Sequence, residues 1–339
     1  MIAMLMPSRP LGSRLAIAMI ALLILLVGVV AFALTVGAQP VNLREILSDP
    51  VAHTLFFRLR LPRVLMGALI GASLAMVGAA LQALFRNPLA DPFILGVSGG
   101  GAVGASVAIA CGVATVVVGI PFIFVAAFLG ASVSVLLVYS IAKAGRTMLP
   151  GTLLLSGVVV NLIASACVLI IQFFIDPSRA HQILRWTTGS LDVVGYTTIG
   201  QMTFVLLPSW FALLAMSHQL HLIAIDKETA ATLGVNVQRS EVIIHLICSL
   251  MIGVTVAVGG AVGFVGLIVP HGIRMLFGED LRIVLPGSIL LGASFLIAAD
   301  TVARTVLTSS ELPVGAITAL LGGPAFLFLL RRRQRYSAL

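Results

Sequence analysis

The chain has 339 residues, of which 60% are hydrophobic and only 9% are charged. Soluble globular domains are roughly 45–50% apolar and about 25% charged, and a soluble core could not bury so many apolar side chains. The composition therefore excludes soluble, disordered and disulfide-scaffold proteins and indicates an all-α polytopic membrane protein. Basic residues between apolar stretches explain the net charge of +8 as membrane-surface charge, so we expect no nucleic-acid partner.

Apolar stretches of membrane-spanning length run through the whole sequence. A helix that crosses a bilayer needs roughly 20 apolar residues. We predict about ten spans, over residues 15–36, 62–85, 93–112, 116–141, 152–174, 196–216, 241–261, 264–277, 283–302 and 314–330. The first is expected to be a retained helix rather than a cleaved signal peptide, because its apolar run is longer than a signal core. We expect a single transmembrane domain over residues 1–339.

The basic residues indicate how these spans are oriented. An even number of spans puts both termini on one side, and that side holds 13 of the 20 Lys and Arg residues. Because cytoplasmic loops are enriched in positive charge, we expect cytoplasmic termini, with a short segment over residues 1–14 and a basic tail over 331–339. The seven positive residues on the outer side need a separate explanation.

Glycine is frequent inside the apolar stretches, as at Gly67, Gly71 and Gly78. Small residues let helices approach closely in lipid, so this pattern predicts a compact bundle. The glycine-rich run over residues 96–104 follows a helix and lacks the lysine of a phosphate-binding loop. We interpret it as a helix start with small residues facing a neighbour or a lumen. Clusters of Pro and Gly predict broken helices, which a membrane tolerates only beside protein or a water-filled cavity.

Residue types that bind metal are scattered along the chain. The three cysteines are far apart, which indicates buried thiols rather than disulfides or zinc ligands. His218 and His221 could share a helical face, but no carboxylate or thiol completes a metal site. We therefore expect no metal, no cofactor and no catalytic residue. His245 lies alone inside a span, where a pathway role and a packing role are both open.

Arginines are concentrated on the predicted outer side of the membrane. Arg58, Arg60 and Arg63 lie close together in the sequence, and Arg304 lies at the outer end of the ninth span. Such a group suggests docking of an acidic partner through charge-assisted contacts. The alternative is snorkelling of the side chains to lipid phosphates.

A second dense group of polar residues lies over residues 225–235, between the sixth and seventh spans. It is typical of a short amphipathic helix that ends at Gly234. Both a solvated connector and a docking helix for a cytoplasmic subunit are compatible with it.

Several short motifs occur in a fixed order along the chain: RLPR at 60–63, LFRNPLADP at 84–92, LGVSGG at 95–100, GFVGLIVPH at 263–271, ADTVAR at 299–304 and ELPVG at 311–315. Together they resemble the permeases of binding-protein-dependent ABC importers for ferric siderophores, haem and cobalamin. The resemblance extends from about residue 58 to residue 330. It implies the type II ABC importer permease fold, with about ten transmembrane helices per subunit.

The resemblance also implies partners. A homodimer in the bacterial inner membrane would bind two cytoplasmic ATP-binding cassette subunits, which hydrolyse the ATP, and one periplasmic substrate-binding protein. Arg60, Arg63 and Arg304 match the arginines that meet acidic residues of the binding protein. The coupling helices that dock on the ATPase match residues of about 221–240, in particular Asp226, Glu228, Ala230, Thr232, Leu233 and Gly234.

Two segments match the cytoplasmic gates of the cobalamin importer of this family. Asn87 and Leu89 match one gate. Leu149, Pro150 and Gly151 match the other gate, where the cobalamin permease carries small hydroxyl residues. The chain departs from the cobalamin pattern at this second gate.

The cargo cannot be deduced from the permease if specificity rests with the binding protein. Family breadth favours an iron chelate, either a ferric siderophore or haem, and cobalamin is the alternative. A different class, the ion-coupled secondary transporter, would need an intramembrane carboxylate. Asp300 is the one candidate, but its position near the outer end of a span is poor for this role.

Overall fold

The computed structural model describes residues 11–37, 49–113, 115–117, 119–144, 147–148, 150–192, 195–307 and 311–337. Within these residues the chain is almost entirely helical. The helices are α1 (Leu11–Thr35), α2 (Pro50–Thr54), α3 (Leu61–Leu84), α4 (Val97–Ala110), α5 (Phe122–Ala142), α6 (Pro150–Phe173), α7 (Pro177–Thr187), α8 (Thr197–Ala215), α9 (Ser217–Ile225), α10 (Lys227–Thr232), α11 (Val237–Gly259), α12 (Val265–Phe277), α13 (Leu281–Thr305) and α14 (Val314–Ser337).

Short irregular elements connect some of these helices. A π-helical turn over Leu55–Arg60 joins α2 to α3, and a 3-10 turn over Pro92–Leu95 precedes α4. Two small antiparallel hairpins flank α5. They are formed by β1 (Val116–Val117) with β2 (Ile120–Pro121), and by β3 (Lys143–Ala144) with β4 (Thr147–Met148).

Ten apolar helices account for the ten predicted spans. In the described part of the chain, seven helical segments are long and apolar enough to cross a membrane, and three shorter apolar helices are α4, α12 and the first part of α14. The predicted all-α polytopic fold is confirmed. Helix α7 was not predicted, because it is amphipathic and has no apolar run of spanning length.

Two predicted spans were wrong at their first residues. The fourth was expected to start at residue 116, but α5 begins only at Phe122, after β1 and β2. The second was expected to start at residue 62, but the helical structure begins at Pro50, where the side chain of Asp49 caps the first turn. The arginines at 58–63 obscured this helix, because hydropathy alone places charged residues outside a span.

The terminal segments are more helical than expected. Residues 11–14, part of the predicted N-terminal segment, already belong to α1, and residues 1–10 lie outside the described residues. Helix α14 continues to Ser337, so most of the predicted basic tail is helical, and residues 338–339 lie outside the described residues.

Helix α3 is the central helix of the bundle. All of its residues from Ile70 to Leu84 are buried, and it packs against α8, α11, α12 and α13. Helix α1 packs on α13 but exposes a long apolar face. An exposed apolar face of spanning length suits contact with lipid.

Glycines allow α3 to approach its neighbours at backbone distance. A Cβ atom at Gly71 would overlap the carbonyl oxygen of Gly292 in α13, and a Cβ atom at Gly78 would overlap that of Gly266 in α12. At Gly67 the nearest atom would be 3.4 Å away, which is an ordinary contact. The predicted close packing is therefore confirmed at two of these three glycines.

The glycine-rich run over residues 96–104 begins α4, as predicted. Gly96 precedes the helix with a φ of 78°, a left-handed conformation that favours glycine. A Cβ atom at Gly100 would overlap the carbonyl oxygen of Gly130 in α5. The run therefore serves close packing of α4 on α5.

We expect the substitution Gly78→Ala to destabilise the bundle by about 1–3 kcal/mol, the usual cost of overpacking. The added methyl group must displace the backbone of α12, since it would overlap the carbonyl group of Gly266. Thermal unfolding of the detergent-purified protein measures the effect. Gly67→Ala is the matched control in the same helix and should leave the unfolding temperature unchanged; equal temperatures for both variants would contradict the close contact.

Two ends of the bundle differ in chemistry. The arginine end is defined by Arg60, Arg63, Asp300 and Arg304, at the start of α3 and the end of α13. The hairpin end is defined by α9 and α10, which form a helical hairpin beside the last turn of α3. Helix α3 has 24 residues and is about 36 Å long at 1.5 Å per residue, so it connects the two ends across the thickness of a bilayer.

Candidate functional site

Arg63 is the centre of an ion-pair network at the arginine end. Its Nε atom donates a hydrogen bond of 2.9 Å to Asp300 Oδ1, and its Nη2 atom lies 2.9 Å from the same oxygen. Its Nη1 atom lies 2.7 Å from Glu311 Oε2 and 3.6 Å from Asp192 Oδ1. One guanidinium group therefore ties α3 to α13 and to the two segments that hold Asp192 and Glu311.

Arg304 and Arg60 complete the arginine end. Arg304 Nε lies 3.0 Å from Asp300 Oδ2, and its Nη2 atom donates to the carbonyl oxygen of Ala33 at 3.2 Å. Arg60 donates to the carbonyl oxygens of Leu34 and Thr35 in the last turn of α1. Both guanidinium groups thus lie at the C-terminus of α1, where unpaired carbonyl groups carry partial negative charge.

The structure brings the three predicted docking arginines together, but it buries most of their surface. Arg60 is 8% exposed and Arg304 is 6% exposed. The side chain of Arg63 is 13% exposed, and that of Asp300 only 3%. A partner can therefore contact this group only through the residues exposed at its edge, which we call the rim, and not through free arginine side chains.

Sequence reasoning missed the carboxylates that form this rim. The side chains of Asp192 and Glu311 are 44% and 45% exposed, and both lie beside Arg63. Asp192 also accepts a hydrogen bond of 2.6 Å from Arg185 in α7. The available signal was that both carboxylates lie on the predicted outer side, where acidic residues could neutralise the unexplained arginines.

The short helix predicted over residues 225–235 is present at the hairpin end as α10. The side chain of Asp226 caps it by accepting hydrogen bonds from the backbone N–H (2.7 Å) and the hydroxyl (2.8 Å) of Thr229. These donors hold the pKa of Asp226 below its usual value, because they stabilise the ionised carboxylate. Gly234 ends the helix with a φ of 86°, as predicted.

Most side chains of α10 and of the turn after it are exposed. Glu228, Thr232 and Gly234 are exposed, and Leu233 is 63% exposed. Ala230 differs, since it is fully buried against the rest of the chain. Ala230 therefore anchors α10, while its neighbours are accessible to a partner.

One of the two predicted gate segments is described in detail. Asn87 and Leu89 lie on the turn after α3, where the side chain of Asn87 accepts a hydrogen bond of 3.0 Å from the backbone N–H of Leu89. Leu89 is 42% exposed. In the second segment Gly151 is exposed in the first turn of α6. Pro150 is described by its backbone, and Leu149 lies outside the described residues.

His245 packs inside the bundle. It is 7% exposed, and its Nδ1 atom lies 2.9 Å from the carbonyl oxygen of Glu241, one turn earlier in α11. Its ring meets the rings of Phe85 and Tyr139 at centroid distances of 5.4 and 5.5 Å. These contacts favour the packing role. Among the described residues, no group of three or more His, Cys, Asp or Glu side chains could hold a metal ion.

In the described part of the chain, ten apolar helices that are joined by polar turns and packed through close glycine contacts define a multi-pass membrane protein. The chain belongs to the FecCD transport family, which matches residues 22–332. The family resemblance predicted from the motifs is thereby confirmed.

Individual relatives agree with this assignment. The chain is 38% identical over 331 residues to the hemin transport system permease protein HmuU of Yersinia pestis, covering 93% of this chain and 96% of the relative. It is 42% identical over 286 residues to the cobalamin import system permease protein BtuC of Halobacterium salinarum, covering 84% and 75%. A solved ABC transporter of metal-chelate type, in an inward-facing conformation, is 31% identical with a TM-score of 0.81, covering 92% of this chain and 98% of that one.

The chain is therefore an ABC importer permease of the iron-chelate and cobalamin type. Such permeases are transport components rather than enzymes, and they work in complexes with ATP-binding subunits and a binding protein. The predicted type II permease fold is confirmed by the solved relative.

Proposed function

We propose that the chain is the permease subunit of an importer that carries an iron chelate, either a ferric siderophore or haem, across the bacterial inner membrane. It forms a homodimer embedded in membrane lipid, both termini are cytoplasmic, and ATP hydrolysis takes place in two separate cytoplasmic subunits. The arginine end is periplasmic and the hairpin end is cytoplasmic. Cobalamin is the alternative cargo, because relatives that import it are also similar.

One observation carries this proposal. The arginine cluster and the exposed hairpin lie at opposite ends of the same buried helix, α3. A binding protein and an ATPase must engage opposite faces of the membrane, and each face offers a suitable surface. The binding protein would engage the cluster of Arg60, Arg63 and Arg304 at its exposed rim, beside Asp192 and Glu311. The ATPase would meet the hairpin through Leu233 and its neighbours.

An apolar face on α6 supports the homodimer. Leu155, Leu162 and Leu169 are each 66% exposed and recur every seven residues along the helix, so they line one face. The first turn of α6, which precedes Leu155, holds the predicted gate residues Pro150 and Gly151. A second copy packed against this face would place two gates beside a common axis.

Asp300 argues against the secondary-transporter alternative. An ion-coupling carboxylate must bind and release its ion within the membrane. Asp300 is instead occupied by Arg63 and Arg304 at 2.9 and 3.0 Å. Two fixed cations beside a buried carboxylate leave it no capacity for a transported cation.

The deciding experiment reconstitutes the protein with its cognate ATPase in lipid nanodiscs. ATP hydrolysis is followed while the binding protein is added after loading with haem, a ferric siderophore or cobalamin. Stimulation by an iron-chelate form would support the proposal, and stimulation by the cobalamin form alone would replace the cargo. If no ATPase associates and a proton gradient drives uptake, the proposal is wrong.

A further inference from the structure

Arg86 occupies a backbone position that normally belongs to glycine. Its φ is 49°, and it closes α3 with two hydrogen bonds, from its own N–H to Ala83 (3.2 Å) and from the N–H of Asn87 to Gln82 (3.0 Å). This is the Schellman pattern, in which glycine is the usual left-handed residue. The left-handed conformation costs other L-residues about 1–2 kcal/mol, so a side chain retained here calls for an explanation.

The hairpin provides a matched comparison. Helix α10 ends with the same pair of hydrogen bonds, from Gly234 to Ala231 and from Val235 to Ala230, each 3.0 Å long. There the left-handed residue is glycine, at a φ of 86°. The two motifs differ in that the one at the end of α3 carries a long cationic side chain.

The side chain of Arg86 bridges the two helices of the hairpin. Its Nε and Nη2 atoms donate to the carbonyl oxygen of Ile223, in the last turn of α9, at 3.2 and 3.0 Å. Its Nη2 atom also lies 3.8 Å from Asp226 Oδ1, while the other oxygen of Asp226 caps α10 through Thr229. One guanidinium group therefore contacts both the end of α9 and the residue that starts α10.

The backbone of Arg86 leads directly into the predicted gate. Asn87 is the next residue, and a tight turn follows, with hydrogen bonds from Leu89 to the Asn87 side chain (3.0 Å) and from Ala90 to the Asn87 carbonyl (3.1 Å). Because the turn is internally bonded, it must move with the residue that precedes it.

The hairpin also has space beside it. A cavity of about 540 Å³ is lined by Arg86, by His221 and Ile225 of α9, by Met275 of α12 and by Glu279 in the turn after α12. On this side α9 faces open volume rather than packed side chains, so a displacement of the hairpin meets little steric resistance there.

We propose that Arg86 is the positioning residue that passes movement of the hairpin to the turn containing Asn87 and Leu89. This inference rests on the proposed function, in which the ATPase moves α10. The guanidinium group follows the Ile223 carbonyl and Asp226, and the left-handed backbone of Arg86 transfers that shift to the turn. Coupling of this kind requires a contiguous physical contact between two moving elements, and the bonds of Arg86 supply it.

The substitution Arg86→Gly tests this role without disturbing the backbone, since glycine favours the observed φ. We expect the variant to fold, to bind the ATPase and to hydrolyse ATP in proteoliposomes. The amount of cargo imported per ATP hydrolysed should fall by about twofold to thirtyfold, the range for residues that carry coupling. Arg86→Lys keeps the charge but loses the bidentate guanidinium donor. Its ratio of imported cargo to hydrolysed ATP should therefore lie between those of Arg86→Gly and the wild type.

Arg282→Ala is the matched control, since it removes an exposed cation in the first turn of α13, at the same end of the bundle but outside residues 221–240, and should leave the ratio unchanged. An unchanged import-to-ATP ratio in Arg86→Gly would overturn the inference. A lower unfolding temperature with both rates reduced in proportion would overturn it as well, because that pattern indicates a structural role alone. Failure of the wild-type complex to assemble or to import would instead contradict the proposed function.

Discussion

The substitution Leu233→Asp is expected to prevent copurification of the ATPase with the permease. Leu233 is the C-cap residue of α10 and is 63% exposed although it is apolar, which is typical of a contact that a partner completes. Burying an unpaired carboxylate in an apolar contact costs several kcal/mol, and each 1.4 kcal/mol is about tenfold in affinity. We therefore expect a loss of about a hundredfold or more, measured by affinity purification of the tagged permease with the coexpressed ATPase.

This result can be separated from misfolding. Exposed positions tolerate substitution within about 0.5 kcal/mol, so the unfolding temperature of Leu233→Asp should match that of the wild type. Leu233→Met is the matched control, because it keeps an apolar side chain of similar volume, and it should copurify normally. A stable complex with Leu233→Asp would show that the ATPase does not bind this part of the hairpin.

The spans and the packing glycines could be predicted because both signals are local. A run of about 20 apolar residues identifies a span wherever it lies, and the end of α10 at Gly234 follows from the preference of glycine for a left-handed backbone. The same reasoning failed at Pro50, where charged residues interrupt the apolar run. Their charges are tolerated because Arg60 meets the carbonyl oxygens at the end of α1.

The organisation of the arginine end could not be predicted, because its partners come from distant parts of the sequence. Arg63 bonds to Asp300 and Glu311, which lie 237 and 248 residues further along the chain. Motif resemblance identified the arginines as a group, but it gave no information on which carboxylates neutralise them. Arg86 escaped notice for a related reason, since an arginine carries no local signal for a left-handed backbone.

Reversing the charge of Arg60 and Arg63 together, as Arg60→Glu with Arg63→Glu, should abolish stimulation of ATP hydrolysis by the loaded binding protein. Acidic residues of that partner would then meet carboxylates instead of guanidinium groups. The structure adds a second expected effect. Breaking the buried pair of Arg63 with Asp300 should destabilise the permease by about 3–5 kcal/mol, which is measured by thermal unfolding in the absence of partners.

Because both effects reduce activity, the docking role needs a variant that leaves this buried pair intact. Glu311→Gln removes an exposed carboxylate that lies 2.7 Å from Arg63 and that competes with a docking carboxylate for the same guanidinium group. We expect the binding protein to bind about twofold to fivefold more tightly, the range for exposed ion pairs, and the gain to shrink as salt is added. Glu228→Gln, at the hairpin end, is the control for net charge and should have no effect. Unchanged or weaker binding by Glu311→Gln would leave Arg63 as a purely structural partner of Asp300.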